Sequence, residues 1–145
     1  GNTLEGRVKG FGHELFDRKI VTDNKESIKE IITRWSSNES INVIITTGGT
    51  GLTETDVTPE ALEEIFEKKI PGFSIIFHKI SFEKIKTSTI QSRATAGILT
   101  QTLIFALPGS PNAVKDGWDD ILKYQLDSRH KPCNFVEILP RLKES

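Results

Sequence analysis

Residues 43–60 read VIITTGGTGLTETDVTPE, the stretch that decides the fold of this chain. Its opening residues, Val43–Ile45, are apolar and β-branched, which predicts a buried strand. Gly48–Gly51 follow with three glycines in four residues, and they allow the backbone to turn tightly and to approach a ligand closely. Such a loop directs peptide N–H groups at an anion, usually phosphate. Asp56 lies nearby as a candidate ligand for the Mg²⁺ that accompanies phosphates.

The composition of the 145 residues indicates a single domain, long enough to bury about two-thirds of its unfolded surface. The formal net charge of −1 lacks the basic excess that is typical of nucleic-acid-binding proteins. No apolar run approaches the ~20 residues that cross a bilayer, and no signal-peptide pattern opens the chain. The single Cys133 excludes an internal disulfide and a multi-cysteine zinc site. We therefore expect a cytoplasmic protein that binds neither nucleic acid nor a membrane.

Apolar periodicity predicts helices and strands in alternation. The predicted helices cover 3–12, 23–36, 58–69, 73–85 and 111–126, and the predicted strands cover 14–22, 43–45, 94–99, 102–107 and 134–139. This alternation predicts a three-layer α/β fold, in which helices cover both faces of a mainly parallel sheet. Ligands bind outside the carboxyl ends of parallel strands. We therefore expect Asp23, the loop after Gly48 and the loop after Pro108 to meet at one edge of the sheet.

Each candidate in the first half of the chain also has a structural interpretation. The glycines are compatible with a simple tight turn, and neither a P-loop lysine nor a Gly-x-Gly-x-x-Gly motif accompanies them. Asp23 has the spacing from Glu26 of a capping box, so capping and function both remain open for it. Asp56 is not needed as a cap, because Thr58 is the predicted N-cap and Pro59 follows it at the first helical position.

Candidate residues in the second half of the chain also have both a structural and a functional interpretation. Ser92 and Arg93 are either ordinary loop residues or ligand contacts, and Arg93 is a good bidentate phosphate donor. Pro108, Gly109 and Ser110 connect a strand to a helix. Ser110 is a candidate N-cap, and a helix N-terminus of this sort also attracts anions.

Four segments recur in a recognisable order: Gly48-Gly49-Thr50-Gly51 with Asp56–Ala61, Ile70–Phe73, Gln91–Ala94 with Gly97, and Leu107–Val114. Together, at this spacing and over nearly the whole chain, they resemble the MoaB/Mog-type family of molybdopterin-binding proteins. The glycine segment alone is a weak signal, whereas the four together are specific. The resemblance implies a molybdopterin adenylyltransferase of molybdenum cofactor biosynthesis, which uses Mg²⁺ and takes ATP and molybdopterin as substrates.

The resemblance also implies roles for individual residues. It places Asp56 at the family's catalytic aspartate and Asp23 at the second functional aspartate, both as Mg²⁺ ligands. The implied substrate-binding residues are Gly48, Gly49, Thr50, Gly51, Ser81, Ser92, Arg93, Pro108, Gly109 and Ser110.

Alternatives to the enzyme remain within the same superfamily. Adenylyltransferase members often carry Asn two residues before Pro108, where this chain has Ala106. That departure favours a non-enzymatic molybdopterin carrier, whereas Asp23 favours an active enzyme. A gephyrin-like scaffold and a nucleotide-processing domain of the competence-damage type are further alternatives.

Assembly and partners are also implied. The family forms homotrimers, sometimes paired into hexamers, and the molybdenum insertase of the pathway is a further partner. Phe73, Ile76, Phe77 and Ile80 form an apolar cluster larger than one small domain is expected to bury, which favours self-association. Family members begin with another strand before the position of Gly1. We therefore expect 1–145 to be a single molybdopterin-binding domain that lacks its first strand.

Overall fold

The computed structural model describes residues 1–142, which form a four-stranded sheet with helices on both faces. The strands are β1 (Val43–Thr47), β2 (Lys68–Lys69), β3 (Thr95–Leu99) and β4 (Thr102–Leu107), in the spatial order β1-β4-β3-β2. The predicted layered α/β class is confirmed. The sheet is mixed, however, since β1 and β4 are parallel while β4 with β3 and β3 with β2 are antiparallel.

The mixed character follows from a hairpin. Thr100 adopts a left-handed conformation, with φ of 58°, between the ends of β3 and β4. Strands joined by so short a connection must run antiparallel. The parallel pair, β1 with β4, is the one that positions the site.

Helices occupy the regions predicted as helical, with shifted bounds, and one further short helix forms where a strand was predicted. They are α1 (Asn2–Gly10), α2 (Lys25–Ser36), α3 (Thr58–Ile65), α4 (Pro71–Ile85), α5 (Pro111–Gly117), α6 (Lys123–Gln125) and α7 (Phe135–Ile138). A π-helical turn, Trp118–Leu122, joins α5 to α6, and short 3₁₀ segments cover Lys86–Gln91 and Leu139–Arg141. Among these helices none is long and apolar enough to cross a membrane.

The central strand β4 divides the core into two layers. Successive strand residues point to opposite faces. Leu103, Phe105 and Leu107 pack with α4 and the α5–α6 region, whereas Ile104 and Ala106 pack with α2 and α3. All five are 0% exposed, and fully burying a Leu, Ile or Phe side chain contributes about 1.5–3 kcal/mol. The strand is therefore fixed firmly from both sides, together with the loop at its carboxyl end.

Two predicted strands are wrong. Residues 14–22 form no strand, because they pair with no neighbouring strand among the described residues, and Ile20 is 93% exposed. Residues 135–139 are helical instead, because the Asn134 side chain accepts a hydrogen bond from the Glu137 amide at 2.9 Å and caps α7. A side-chain cap of this type favours a helix start over a strand.

The predicted helix over 58–69 also needs correction at both ends. Its N-cap is Val57, which provides no side-chain hydrogen bond, and Thr58 is already the first helical residue. The helix ends at Ile65 because Lys68 and Lys69 pair with Ile98 and Gly97 of β3.

Candidate functional site

Two loops meet where the parallel strands end. Thr47 of β1 stands opposite Leu107 of β4, and the Gly48 amide donates to the Leu107 carbonyl at 2.9 Å. A Cβ atom added to Gly109 would lie 3.2 Å from the Gly48 Cα atom. The predicted meeting of these two loops is therefore confirmed, and glycine at 109 permits their close approach.

The glycine loop adopts a conformation that requires glycine. Gly48 and Gly49 have φ values of 96° and 70°, in the region that residues with a side chain rarely adopt. The Gly49 carbonyl accepts a hydrogen bond from the Thr58 amide at 3.1 Å, and the Thr58 side chain lies against Gly49. The loop is thus tied to the start of α3, with the Thr50 side chain buried beneath it.

Asp56 is held beside this loop as a carboxylate. Its Oδ2 atom accepts hydrogen bonds from the Thr53 amide at 3.0 Å and from the Thr53 hydroxyl at 2.7 Å. The Thr53 side-chain bond is the main reason that the pKa of Asp56 lies below its usual value. Neither bond uses Oδ1. Because Gly51 has no side chain, the carboxylate packs directly against its backbone.

Arg93 connects the two ends of the same loop. Its amide donates to the Thr50 carbonyl, its Nε to the Gly51 carbonyl and its Nη2 to the Asp56 carbonyl, each at 2.9 Å. Its Nη1 forms an ion pair with Glu60 of α3, and this hydrogen bond holds the pKa of Glu60 below its usual value. Each guanidinium nitrogen therefore bonds to the loop or to the helix that follows it.

Asp23 lines a cavity of about 1050 Å³, together with β1 and residues 13–21. Gly48, Gly49 and Thr58 line the same cavity, whereas Asp56 does not. The capping interpretation of Asp23 is wrong. Asn24 caps α2 by accepting from the Ser27 amide at 3.0 Å, and Asp23 is exposed with no hydrogen bond or ion pair within residues 1–142.

The candidate serines differ in their placement. Ser110 caps α5 as predicted, since its Oγ accepts from the Ala113 amide at 3.1 Å. The Ser92 hydroxyl is buried and has no hydrogen-bond partner among the described residues, and its neighbour Arg93 brings it to the glycine loop. Ser81 is buried on α4, and within the described part of the chain no hydrogen bond links it to either loop.

A family model described as a probable molybdopterin binding domain matches residues 1–128. The chain belongs to this family. The resemblance to MoaB/Mog-type proteins is thereby confirmed, and the loops described above lie within the matched residues.

Individual relatives agree with this membership. Molybdenum cofactor biosynthesis protein B of Escherichia coli (strain K12) is 44% identical over 135 residues, which cover 93% of this chain and 79% of the relative. A probable molybdopterin adenylyltransferase of Methanocaldococcus jannaschii is 49% identical over 96 residues, covering 66% of this chain and 59% of the relative. A crystal structure of a molybdenum cofactor biosynthesis protein B matches with a TM-score of 0.83 and 35% identity, over 86% of this chain and 78% of that one.

The described residues offer few side-chain donors for a metal ion. Within residues 1–142, no group of three or more His, Cys, Asp or Glu side chains is placed to hold an ion. Transition metals usually need such a set. Mg²⁺ binds through one or two carboxylates plus phosphate oxygens and water, so the Asp56 carboxylate beside the glycine loop is chemically compatible with a magnesium ion that arrives with a phosphorylated substrate, whereas Asp56 does not line the cavity that Asp23 lines.

Sequence reasoning missed three residues of the site. Thr53 fixes the Asp56 carboxylate, and Glu60 fixes Arg93. The Thr46 hydroxyl is buried without a partner among the described residues, and Thr46 lines the same cavity as Asp23. The spacing Thr53-x-x-Asp56 was a usable signal, since Asp side chains commonly bond to backbone groups close by in the chain.

Proposed function

We propose that this chain acts in molybdenum cofactor biosynthesis by binding molybdopterin and transferring AMP from Mg-ATP to its terminal phosphate. One observation carries the proposal: an ionised, hydrogen-bonded Asp56 lies against a glycine loop at the carboxyl ends of two parallel strands. That edge is where α/β sheets bind ligands. The name of the 49% identical relative, probable molybdopterin adenylyltransferase, supports the same activity.

The reaction needs positioning more than acid–base chemistry. An oxygen of the molybdopterin phosphate attacks the α-phosphorus of ATP and forms a new phosphorus–oxygen bond. The bond from the α-phosphorus to the oxygen that bridges to the β-phosphorus breaks, and its electron pair leaves with pyrophosphate. Because a phosphate already carries an anionic nucleophile, the step requires alignment and charge neutralisation. This agrees with a site that offers carboxylates, hydroxyls and backbone groups.

We assign the chain's groups to that task as follows. Asp56 and Asp23 would hold the magnesium ion, which supplies positive charge to the reacting phosphates. The glycine loop, Gly48–Gly51, and the loop Pro108–Ser110 would bind phosphate and pterin groups between them. The unpartnered Ser92 hydroxyl would bond to molybdopterin, because a buried hydroxyl without a partner is costly until a ligand supplies one. Ser81 is a substrate-binding candidate as a residue following a predicted helix end after Ile80, but it lies within α4 and is buried, so its role in binding stays a prediction.

The test is to incubate the purified protein anaerobically with molybdopterin and Mg-ATP and to measure adenylylated molybdopterin and pyrophosphate. Asp56→Asn and Asp23→Asn should each lower turnover by at least ~10²-fold, the range for loss of one preorganised electrostatic group. Neither carboxylate caps a helix, so the melting temperature should stay near that of the wild type. Glu54→Gln is the matched control, because Glu54 is exposed on the same loop and has no hydrogen bond within residues 1–142.

Wild-type turnover in both aspartate variants would remove these carboxylates from the mechanism. Tight molybdopterin binding by a wild-type protein that forms no pyrophosphate would instead identify a carrier. Ala106 remains the sequence feature in favour of that outcome.

Self-association is part of the proposal, although the apolar side chains on α4 that would mediate it differ in part from those predicted. Phe73 and Phe77 belong to the core of the described chain, so they are not available to a partner. Ile76 of the predicted cluster is exposed, and the outer face of α4 exposes three further apolar side chains beside it: Ile75, Phe82 and Ile85. We expect this face to join copies of the chain into the trimer or hexamer that the family resemblance implies. The adenylylated product would then pass to the molybdenum insertase of the pathway.

A further inference from the structure

We infer that Arg93 is a positioning residue, which holds the loop 50–56 in the conformation that presents the Asp56 carboxylate, and that Glu60 orients its guanidinium. This inference rests on the proposed function for its catalytic consequence. Its structural part stands on the contacts alone. It differs from the expectation that Arg93 contacts a phosphate of the substrate.

The hydrogen bonds of Arg93 define its role. The backbone amide and Nε fix the carbonyls of Thr50 and Gly51, at the beginning of the loop. Nη2 fixes the Asp56 carbonyl, at the end of the loop, at 2.9 Å. One planar side chain thus sets the separation between the two ends of the loop, which a flexible lysine ammonium cannot do in the same geometry.

The carboxylate of Asp56 depends on this separation. Inside the loop, the Asp56 amide donates to the Thr53 carbonyl at 3.0 Å, and Thr53 donates twice to Oδ2. This inner turn fixes the carboxylate relative to the loop. Arg93 fixes the loop relative to α3 and to the residues before β3.

Glu60 completes the arrangement from α3. Its carboxylate pairs with Nη1, the guanidinium nitrogen that bonds to no loop carbonyl in the described residues. A hydrogen bond between two charged groups is roughly twice as strong as a neutral one. The pair therefore directs the remaining edge of the guanidinium away from the loop and towards α3.

The test compares Arg93→Lys, Arg93→Gln and Glu60→Gln with the wild-type chain. Arg34→Lys is the control, because Arg34 is exposed on α2 and its pair with Glu30 is only a surface contact at 3.8 Å. Hydrogen exchange measured by mass spectrometry on peptides covering 50–57 reports the loop directly. Lysine cannot place donors on the Gly51 and Asp56 carbonyls and on Glu60 in the same geometry. Arg93→Lys should therefore speed exchange of the Thr53 and Asp56 amides by about tenfold or more, with no change in Arg34→Lys.

Kinetics separate positioning from substrate contact. If Arg93 positions Asp56, Arg93→Lys should lower kcat for AMP transfer by about 10–10²-fold, with KM for ATP and the Kd for molybdopterin within about threefold of wild type. Glu60→Gln should show a smaller change of the same kind. If Arg93 instead contacts a phosphate, lysine should retain most of kcat and loop protection, while Arg93→Gln should raise KM or Kd.

Both parts of the result are decisive. If hydrogen exchange of the peptides covering 50–57 is the same in Arg93→Lys as in the wild type, the inference is overturned, even when the wild-type protein is active in AMP transfer. A second outcome is that Arg93→Lys exchanges faster while the wild-type protein shows no turnover. This outcome supports the loop-holding role and contradicts only the proposed adenylyl transfer. Should either Arg93 variant fail to fold, Glu60→Gln supplies the same two readouts, since Glu60 is 48% exposed.

Discussion

Gly51→Ala should displace the Asp56 carboxylate without straining the backbone. Gly51 is not among the residues with positive φ, so alanine suits its conformation. The added Cβ would lie 2.6 Å from Oδ2 and 3.2 Å from Cγ of Asp56. Ordinary van der Waals contact needs about 3.4 Å, so the carboxylate must move by about 0.8 Å. That movement also weakens both bonds from Thr53, since they end on Oδ2.

The expected effect is on turnover. A misplacement of about 1 Å at a reacting group costs up to ~10²-fold, so kcat for adenylyl transfer should fall by about 10–10²-fold. The melting temperature should change little, because a compatible Gly→Ala exchange stabilises by about 0.4–1 kcal/mol through the unfolded chain, which offsets the weakened bonds. Gly72→Ala on α4 is the control, since a Cβ there has nothing within 4 Å.

The assay is single-turnover formation of adenylylated molybdopterin, measured alongside molybdopterin binding. Gly51→Ala should bind molybdopterin normally, and it should add little to the loss already caused by Asp56→Asn, because both changes act through one carboxylate. Wild-type kcat in Gly51→Ala, or a full additive loss in the double variant, would refute the argument that the position of Asp56 limits the reaction.

Two further predictions concern charge and assembly. A hydrogen bond from the Arg129 side chain lowers the pKa of Asp127 from 3.8 to about 2. The ionised Asp127 carboxylate should therefore contribute fully to the free energy of unfolding above pH 3.8, and this contribution should be lost as the pH falls towards 2. An NMR titration should find the low pKa of Asp127, and Arg129→Ala should return that pKa towards 3.8. Phe82 is 49% exposed on the outer face of α4, so Phe82→Glu should dissociate the assembly in light scattering, whereas a wild-type monomer at micromolar concentration would contradict self-association.

Features that depend on neighbouring residues were predictable from the sequence. The run before Gly48 contains enough β-branched residues to identify β1, and Ser110 with Pro111 identified the start of α5. The glycine loop and Asp56 were identified as candidates because their residue types are unusual at that spacing. These signals reflect local backbone preferences, and the folded chain keeps the conformations that those preferences favour.

Features that depend on distant residues were missed or misjudged. Residues 14–22 have strand-like composition, but a strand exists only with a hydrogen-bonded neighbour. The local sequence predicts that Lys68 and Lys69 end a helix, but these residues form a strand because they pair with β3. Arg93 was recognisable as an anion-binding side chain, yet its partners Gly51 and Asp56 lie far back along the chain, and no pattern near residue 93 indicates them.

The parallel pairing of β1 with β4 has a consequence for biosynthesis of the protein itself. During translation the glycine loop leaves the ribosome long before residues 102–110, which supply its neighbouring strand and loop. Contacts between distant parts of a chain form slowly, because the intervening chain must be closed into a loop first. A nascent chain that stops short of β4 therefore carries Gly48 without the neighbouring strand and loop beside which it lies in the folded protein. Competence to bind should appear only after the strand that ends at Leu107 has docked beside β1.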